Sequence, residues 1–290
     1  MDINKFSRHF PHLNMIETFE YCSLFGGVED ALEMKFFDNI YDTIEDNIIK
    51  RFNDFDKLIE PQFIKEEPFA RLLWAITRSD AKKGNCFKKA RLSNTSGDEV
   101  LHDLLELGIV ELENSREPIV RLEPNQKLKK ELRGYRIQPK IRFVHPFFRF
   151  YFGYIFYEKQ NILSGVTKPL FEKFSANLDK FFSYPFEQMT LQLLQKEYNL
   201  QDFGSYWDKD NEFDVYANTS EGKLIVGECK YKDRKVCKNE LTKLQKKCEQ
   251  SQIAPDIYLL ASKSGFSKEL ESMSDSVILY DMQSFKRLLV

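Results

Sequence analysis

Residues 211–234, NEFDVYANTSEGKLIVGECKYKDR, constrain the fold of this chain more than any other stretch. Two short apolar runs, 213–217 and 224–227, flank a polar turn that contains Gly222, which is the pattern of a β-hairpin. Side chains alternate between faces along a strand, so Glu228 and Lys230 share one face and Cys229 points into the opposite layer. A neighbouring strand then brings Asp214 opposite Glu228. Two carboxylates and a lysine on an otherwise apolar hairpin are costly unless a cation or a partner compensates them. A divalent metal between the carboxylates, with the ammonium beside it, is one resolution. A surface hairpin with a single Lys–Glu pair at the strand end is the other, and the local pattern alone does not decide between them.

The surroundings carry a resemblance. Asp214 followed by Glu228-Cys229-Lys230 resembles the D…(D/E)xK core of the PD-(D/E)XK nuclease superfamily. The strings FGSYWDKDNEFDVYA and LIVGECKY, then Leu241-x-x-Leu244 and YLLASKSGF (258–266), resemble one branch more closely. That branch is the nuclease-like domain at the C-terminus of archaeal-type ATPases and their prokaryotic relatives, and the likeness extends over about residues 20–290. It implies a mixed α/β fold, with an N-terminal helical and winged-helix region followed by a nuclease-like α/β domain. It also implies divalent-metal-dependent hydrolysis of phosphodiester bonds, with DNA as the expected partner. Asp214 and Glu228 would hold the ion, helped by the backbone carbonyl of Cys229. Glu187, within PFEQMTLQLL, matches the acidic residue that the superfamily often carries in the helix before the β-core, although it reads equally as a plain surface glutamate. Lys230 would orient or deprotonate the attacking water. Hard oxygen ligands favour Mg²⁺ or Mn²⁺ over zinc. The chain has no G-x-x-x-x-G-K-[ST], so the ATPase engine of these relatives is missing. A non-catalytic nucleic-acid- or protein-binding module that retains the nuclease fold is the competing class. An ion held by Asp214 and Glu228 favours the enzyme, and a salt bridge closing Lys230 onto both acids favours the module.

A chain of 290 residues, 42% hydrophobic, can bury one large core or two modest ones. Its 26 phenylalanines and 13 tyrosines call for an aromatic core. The net charge of −2 exerts no global pull on nucleic acid, but the charge is uneven. Residues 1–60 hold 6 basic and 13 acidic side chains, and residues 61–150 hold 18 and 12, so the middle is the electropositive part. Five cysteines without a C-x-x-C read as reduced cytosolic thiols. No apolar run reaches the roughly 18 residues of a membrane span, and the N-terminus lacks a signal-peptide core. A soluble, cytoplasmic protein without a membrane partner is expected.

Taken in order, residues 1–65 read as an acidic helical segment broken at Gly26-Gly27. Residues 66–124 read as a winged helix. PFARLLWAITRS, CFKKAR and SGDEVLHDLLELG are its three helices, the last with Ser96 available as N-cap and Gly108 as its stop, and two strands follow around a turn at 114–117. The third helix presents Asp98, Glu99, Asp103 and Glu106 and no lysine or arginine, which argues against base reading. Packing or contact with a protein partner, through this unit or the acidic N-terminal segment, suits it better. Lys82, Lys83, Lys88, Lys89 and Arg91 offer phosphate contact from its flank. Residues 125–169 hold a basic bridge and an aromatic helix. Lys127, Lys129, Lys130, Arg133, Arg136 and Lys140 make the bridge either a solvated connector or an approach to a nucleic-acid backbone. The aromatic run 141–162 is similar to the family's DPFLRFWFRF segment, with His145 in place of the Asp, and reads as a buried helix tying two domains together. Residues 170–290 read as α-β-β-β-α-β-α-β, a mixed sheet flanked by helices.

Overall fold

The computed structural model describes residues 1–35, 38–117, 127, 136–273 and 276–289. The chain divides into two units, Met1–Glu113 with Pro139–Phe181 and Asn114–Gln138 with Phe182–Val290. The fold is mixed α/β, helical towards the N-terminus with a five-stranded mixed sheet towards the C-terminus.

In the first unit, Asn14 caps the helix Met15–Phe25. Its side chain accepts from the N–H groups of Ile16 and Glu17 at 2.9 and 3.1 Å, and Glu17 accepts in return from Asn14 N–H at 2.8 Å. The helix ends at Gly26-Gly27, as the sequence predicts. Gly27 has φ +98°, a conformation that side-chain-bearing residues avoid. A Cβ on Gly26 would lie 3.0 Å from Pro146, and Phe147 N–H donates to the Gly26 carbonyl at 3.2 Å. The glycine pair is where the aromatic segment docks. That segment is helical from Pro146, with proline in its first turn, and widens to π-helix over Tyr151–Ile155. Phe150 meets Phe25, Phe174 and Phe181 at 5.9, 5.5 and 6.2 Å between ring centroids, and Phe147 meets Phe55 at 5.9 Å. Expected as a tie between two domains, the segment packs as the core of the first unit.

Asp56 fastens that core. It accepts from the Tyr151 hydroxyl and from Lys65 Nζ, the latter at 2.7 Å. Burial pushes its carboxyl up, but the hydrogen bonds from Lys65 and Tyr151 outweigh burial and hold it below the usual carboxylate range. A carboxylate held low contributes stability that is present above its unfolded pKa, about 3.9, and is lost as pH falls through the folded value. Asp56→Ala is therefore expected to destabilise the protein by about 2–3 kcal/mol at pH 7. In urea unfolding followed by circular dichroism, the gap to wild type should narrow below about pH 4. A gap independent of pH contradicts the ion-pair account.

Three helices, Phe69–Thr77, Lys83–Lys89 and Asn94–Glu106, follow one another as the sequence predicts. The third starts one turn early. Ser93, not Ser96, is its cap, accepting Ser96 N–H at 3.1 Å. Gly97 is thereby inside the helix, where the Phe87 ring takes the room a Cβ would need, 2.6 Å away. Lys83 pairs with Asp98 at 2.5 Å, so the acidic helix neutralises part of the basic flank. Strand β1 (Val110–Glu113) pairs antiparallel with β2 (Lys140–Phe143), Val110 opposite Phe143 and Glu113 opposite Lys140. The second wing strand was expected straight after the 114–117 turn. Residues 118–124 lie outside the described residues, and the partner of β1 comes from the far end of the basic bridge.

The expected turn residues instead contact the second unit's sheet, made of β3 (Leu200–Trp207), β4 (Glu212–Thr219), β5 (Leu224–Lys230), β6 (Ile257–Ser262) and β7 (Val277–Asp281). Ser115 Oγ donates to the Trp207 carbonyl at 2.6 Å and accepts Trp207 N–H at 2.8 Å. Arg116 donates to the Phe203 carbonyl, lying against Gly204 where a side chain would project. The strand order is β3-β4-β5-β6-β7. The first three strands are antiparallel neighbours, and β5, β6 and β7 run parallel. Helix Lys238–Gln250 makes the crossover from β5 to β6, and Lys268–Glu271 lies between β6 and β7. Together with helix Leu178–Glu197 before β3, this is the α-β-β-β-α-β-α-β order predicted. The continuous apolar runs of β5 and β6 occupy the middle of the sheet, where both faces are covered. One face packs Phe213, Val226 and Leu260 against Leu241, Leu244 and Cys248 of the crossover helix. Phe182 and Phe186 cover Tyr231 at 5.5 and 5.3 Å between rings. Among the described residues no helix is long and apolar enough to cross a membrane.

Candidate metal and phosphodiester site

The β4–β5 ladder ends at Val215 opposite Gly227. The next position in antiparallel order is Asp214 and Glu228, and there the strands part. Beyond this point β5 continues against β6 alone, from Glu228 opposite Leu260 to Lys230 opposite Ser262. The parting leaves Cys229 N–H without a strand carbonyl on the β4 side. The Asp214 carboxylate takes that place, its Oδ2 accepting Cys229 N–H at 2.8 Å. In a strand the N–H and C=O of one residue point to the same side, so the Cys229 carbonyl also faces the β4 side beyond the end of the ladder. The entry into β4 is fixed by Asp208. It accepts from the N–H groups of Asp210 and Asn211 at 2.7 and 2.6 Å, and from Ser251 Oγ, after the crossover helix, at 2.6 Å.

Glu228 is nearly enclosed. Lys230 Nζ donates to its Oε1, and Lys247 Nζ, from the crossover helix, donates to its Oε2 at 2.8 Å. Lys247 also donates to the Glu212 carbonyl at 3.1 Å. Burial pulls the Lys230 ammonium down, but the charge of Glu228 and its hydrogen bond outweigh burial, so Lys230 sits above the usual lysine range. Asp214 goes the other way. Burial first, and the neighbouring Glu228 charge second, push its carboxyl up to about 7, against the Cys229 hydrogen bond and the two lysines. Burial of the Asp214 carboxyl beside Glu228 is a cost that a bound cation would relieve.

The donor set fits a hard divalent ion. It offers two carboxylates and a backbone carbonyl, and among the described residues Asp214 Oδ1 accepts no hydrogen bond. Both oxygens of Glu228 are engaged by ammonium groups, so an ion would reach Glu228 only if a lysine swung away. The arrangement anticipated for a scaffold, Lys230 closed onto both acids, does not occur: Lys230 bonds to Glu228 alone, and a second lysine takes the other oxygen. Among the described residues no group of three or more His, Cys, Asp or Glu is poised around one point. Glu187, on the helix that covers Tyr231, acts on the Cys229 thiol. That thiol is raised well above its ordinary value, by burial first and then by Asp214, with Glu187 adding to the rise.

The basic bridge is only partly in view. Lys127 and Arg136 are exposed, and Lys129, Lys130 and Arg133 lie outside the described residues. Lys140 corrects the expectation: it lies in strand β2 and is 2% exposed, so it offers nothing to a phosphate. Lys247 escaped the sequence reading. It immediately precedes Cys248 of the buried Leu241–Leu244–Cys248 stripe, a flanking position from which a long side chain reaches the sheet, and that spacing was its one sequence signal.

Residues 151–244 match the DUF234 family, described as archaea bacterial proteins of unknown function. The matched stretch includes Glu187, Asp214, Glu228 and Lys230. No curated protein matches the chain. Among solved structures, the crystal structure of protein VC1899 from Vibrio cholerae aligns at 13% identity and a TM-score of 0.29, over 83% of this chain and 54% of that one. The chain spans about half the length of that protein.

Proposed function

We propose that the chain is a divalent-metal-dependent phosphodiesterase acting on nucleic acid, DNA first. On this reading its second unit is a PD-(D/E)XK-type domain of the kind found with archaeal-type ATPases. The observation that carries it is the meeting of Asp214 and Glu228 where β4 and β5 part, with the Lys230 ammonium beside them. Asp214, Glu228 and the Cys229 carbonyl would hold Mg²⁺ or Mn²⁺, with Glu187 as a further candidate from the covering helix. When bound, the ion supplies Lewis-acid neutralisation of the charge that develops on the phosphoryl oxygens. Lys230, beside the pair, would orient or deprotonate the attacking water, or as an ammonium stabilise a phosphoryl oxygen. Burial of the three groups keeps that interaction strong by excluding water. The test is nicking of supercoiled plasmid in Mg²⁺ or Mn²⁺ and in EDTA. Cleavage confined to the metal-containing reactions is expected.

A second reading is favoured by one feature, the engagement of both Glu228 oxygens by Lys230 and Lys247. A site locked in that way belongs to a non-catalytic nucleic-acid- or protein-binding module. Calorimetry separates the two: a locked site takes up no Mn²⁺, whereas the enzyme binds it through Asp214 and Glu228.

A further inference from the structure

Beside the carboxylate pair, the loop from β5 into the crossover helix walls a cleft of about 170 Å³. Lys230 forms one side of it, and Lys232, Arg234 and Lys235 line it from the loop. The cleft's one acid, Glu240, is spoken for by Lys243 at 2.7 Å, and the loop's Asp233 by Lys263 at 2.8 Å. The side chains of Lys232, Arg234 and Lys235 are exposed and form no hydrogen bond or ion pair with any described residue. Three uncommitted cations beside a fourth, in a chain whose net charge is −2, form a local anion site. Size narrows the occupant. Pockets that enclose a small ligand run to about 300–1,000 Å³, so this cleft holds a phosphate group but not a whole nucleotide. It suits one phosphate of a longer chain whose sugars and bases stay outside.

We propose that this cleft binds the backbone of a nucleic-acid strand at a phosphate next to the one presented to Asp214 and Glu228. The identity of the ligand rests on the phosphodiesterase reading, and the cleft's charge and shape do not. Lys230 lines both places, so a strand seated on Lys232, Arg234 and Lys235 runs directly to the carboxylate pair.

The test is binding without cleavage. Fluorescence anisotropy with a short labelled DNA, single-stranded and duplex, is measured in EDTA over a range of sodium chloride. The variant is Lys232→Gln/Arg234→Gln/Lys235→Gln, with Lys223→Gln, at the opposite end of the β4–β5 hairpin, as control; melting curves check that both fold. Each phosphate-bound cation contributes about 0.7–0.9 to the slope of log affinity against log salt, so the triple variant should lose about 2–3 of that slope and about tenfold or more in affinity. The control should match wild type. An unchanged triple variant, an equal loss in the control, or absence of DNA binding by wild type overturns the proposal. The outcomes are separable from the catalytic reading: a protein that binds DNA through these residues but never cleaves it keeps the cleft and loses the phosphodiesterase, and an unchanged triple variant does the reverse.

Discussion

Asp214→Ala and Glu228→Ala are each expected to abolish Mn²⁺ binding and DNA cleavage together. Each substitution removes an anionic ligand from the same ion, and loss of several kcal/mol of electrostatic stabilisation corresponds to a rate at least about 10³-fold lower. The two should not be equal. Asp214→Ala removes one carboxylate, relieves the repulsion that raises that group, and leaves Cys229 N–H without its acceptor. Glu228→Ala removes the other carboxylate and also strands two ammonium groups, Lys230 and Lys247, where the cation would sit. Like charges oppose one another there, so Glu228→Ala should be the more complete loss in a calorimetric titration. Intact Mn²⁺ binding by Asp214→Ala would sink the site.

Lys230→Ala is expected to separate binding from chemistry. The ion keeps both carboxylates, and one of the ammonium groups competing for Glu228 is gone, so Mn²⁺ should bind as well as in wild type or slightly better. Cleavage should fall by about 10²–10³, the usual cost of removing one donor aimed at developing charge. Lys247 does not substitute for it, because it is committed to Glu228 Oε2 and the Glu212 carbonyl. Undiminished cleavage by Lys230→Ala at saturating Mn²⁺ would remove the lysine from the mechanism. A parallel loss of metal binding would make it a structural prop for Glu228 instead.

The parts of this molecule that were legible in the sequence are those written in short-range periodicity. The two apolar runs 213–217 and 224–227 and the turn between them were enough to predict a hairpin, whose ladder ends at Val215 opposite Gly227, one step from Asp214 and Glu228, because register in a hairpin is set by its own turn. The glycine pair at 26–27 and the proline at 146 marked a helix end and a helix start for local steric reasons. The rest depended on partners far away in the chain. β1 finds its partner across residues 114–139, which no local pattern announces, and Lys140 of that partner strand is buried although it reads as part of a uniform basic run. Ser93 and Ser96 are equal as caps by residue type, and the Phe87 ring against Gly97 accompanies the earlier start. The aromatic segment was legible as buried but not as the centre of its unit, because density of rings says nothing about which neighbours they meet. Lys247 and the cleft cations belong to this second class. The charge of Lys247 was visible, but its proximity to Glu228 arises only when the crossover helix returns across the sheet; Lys232, Arg234 and Lys235 follow Lys230 directly in the chain, and what the sequence could not show is the cleft they line.

The most direct test of the phosphodiesterase reading is a plasmid-nicking time course at saturating Mn²⁺, run on wild-type protein beside Lys230→Ala, with an EDTA control. Relaxed and then linear DNA from wild type, nothing in EDTA, and a nearly silent Lys230→Ala that still titrates with Mn²⁺ is the predicted result. A wild-type protein that binds Mn²⁺ yet leaves plasmid, single-stranded DNA and RNA intact would contradict it and assign the hairpin to a binding module.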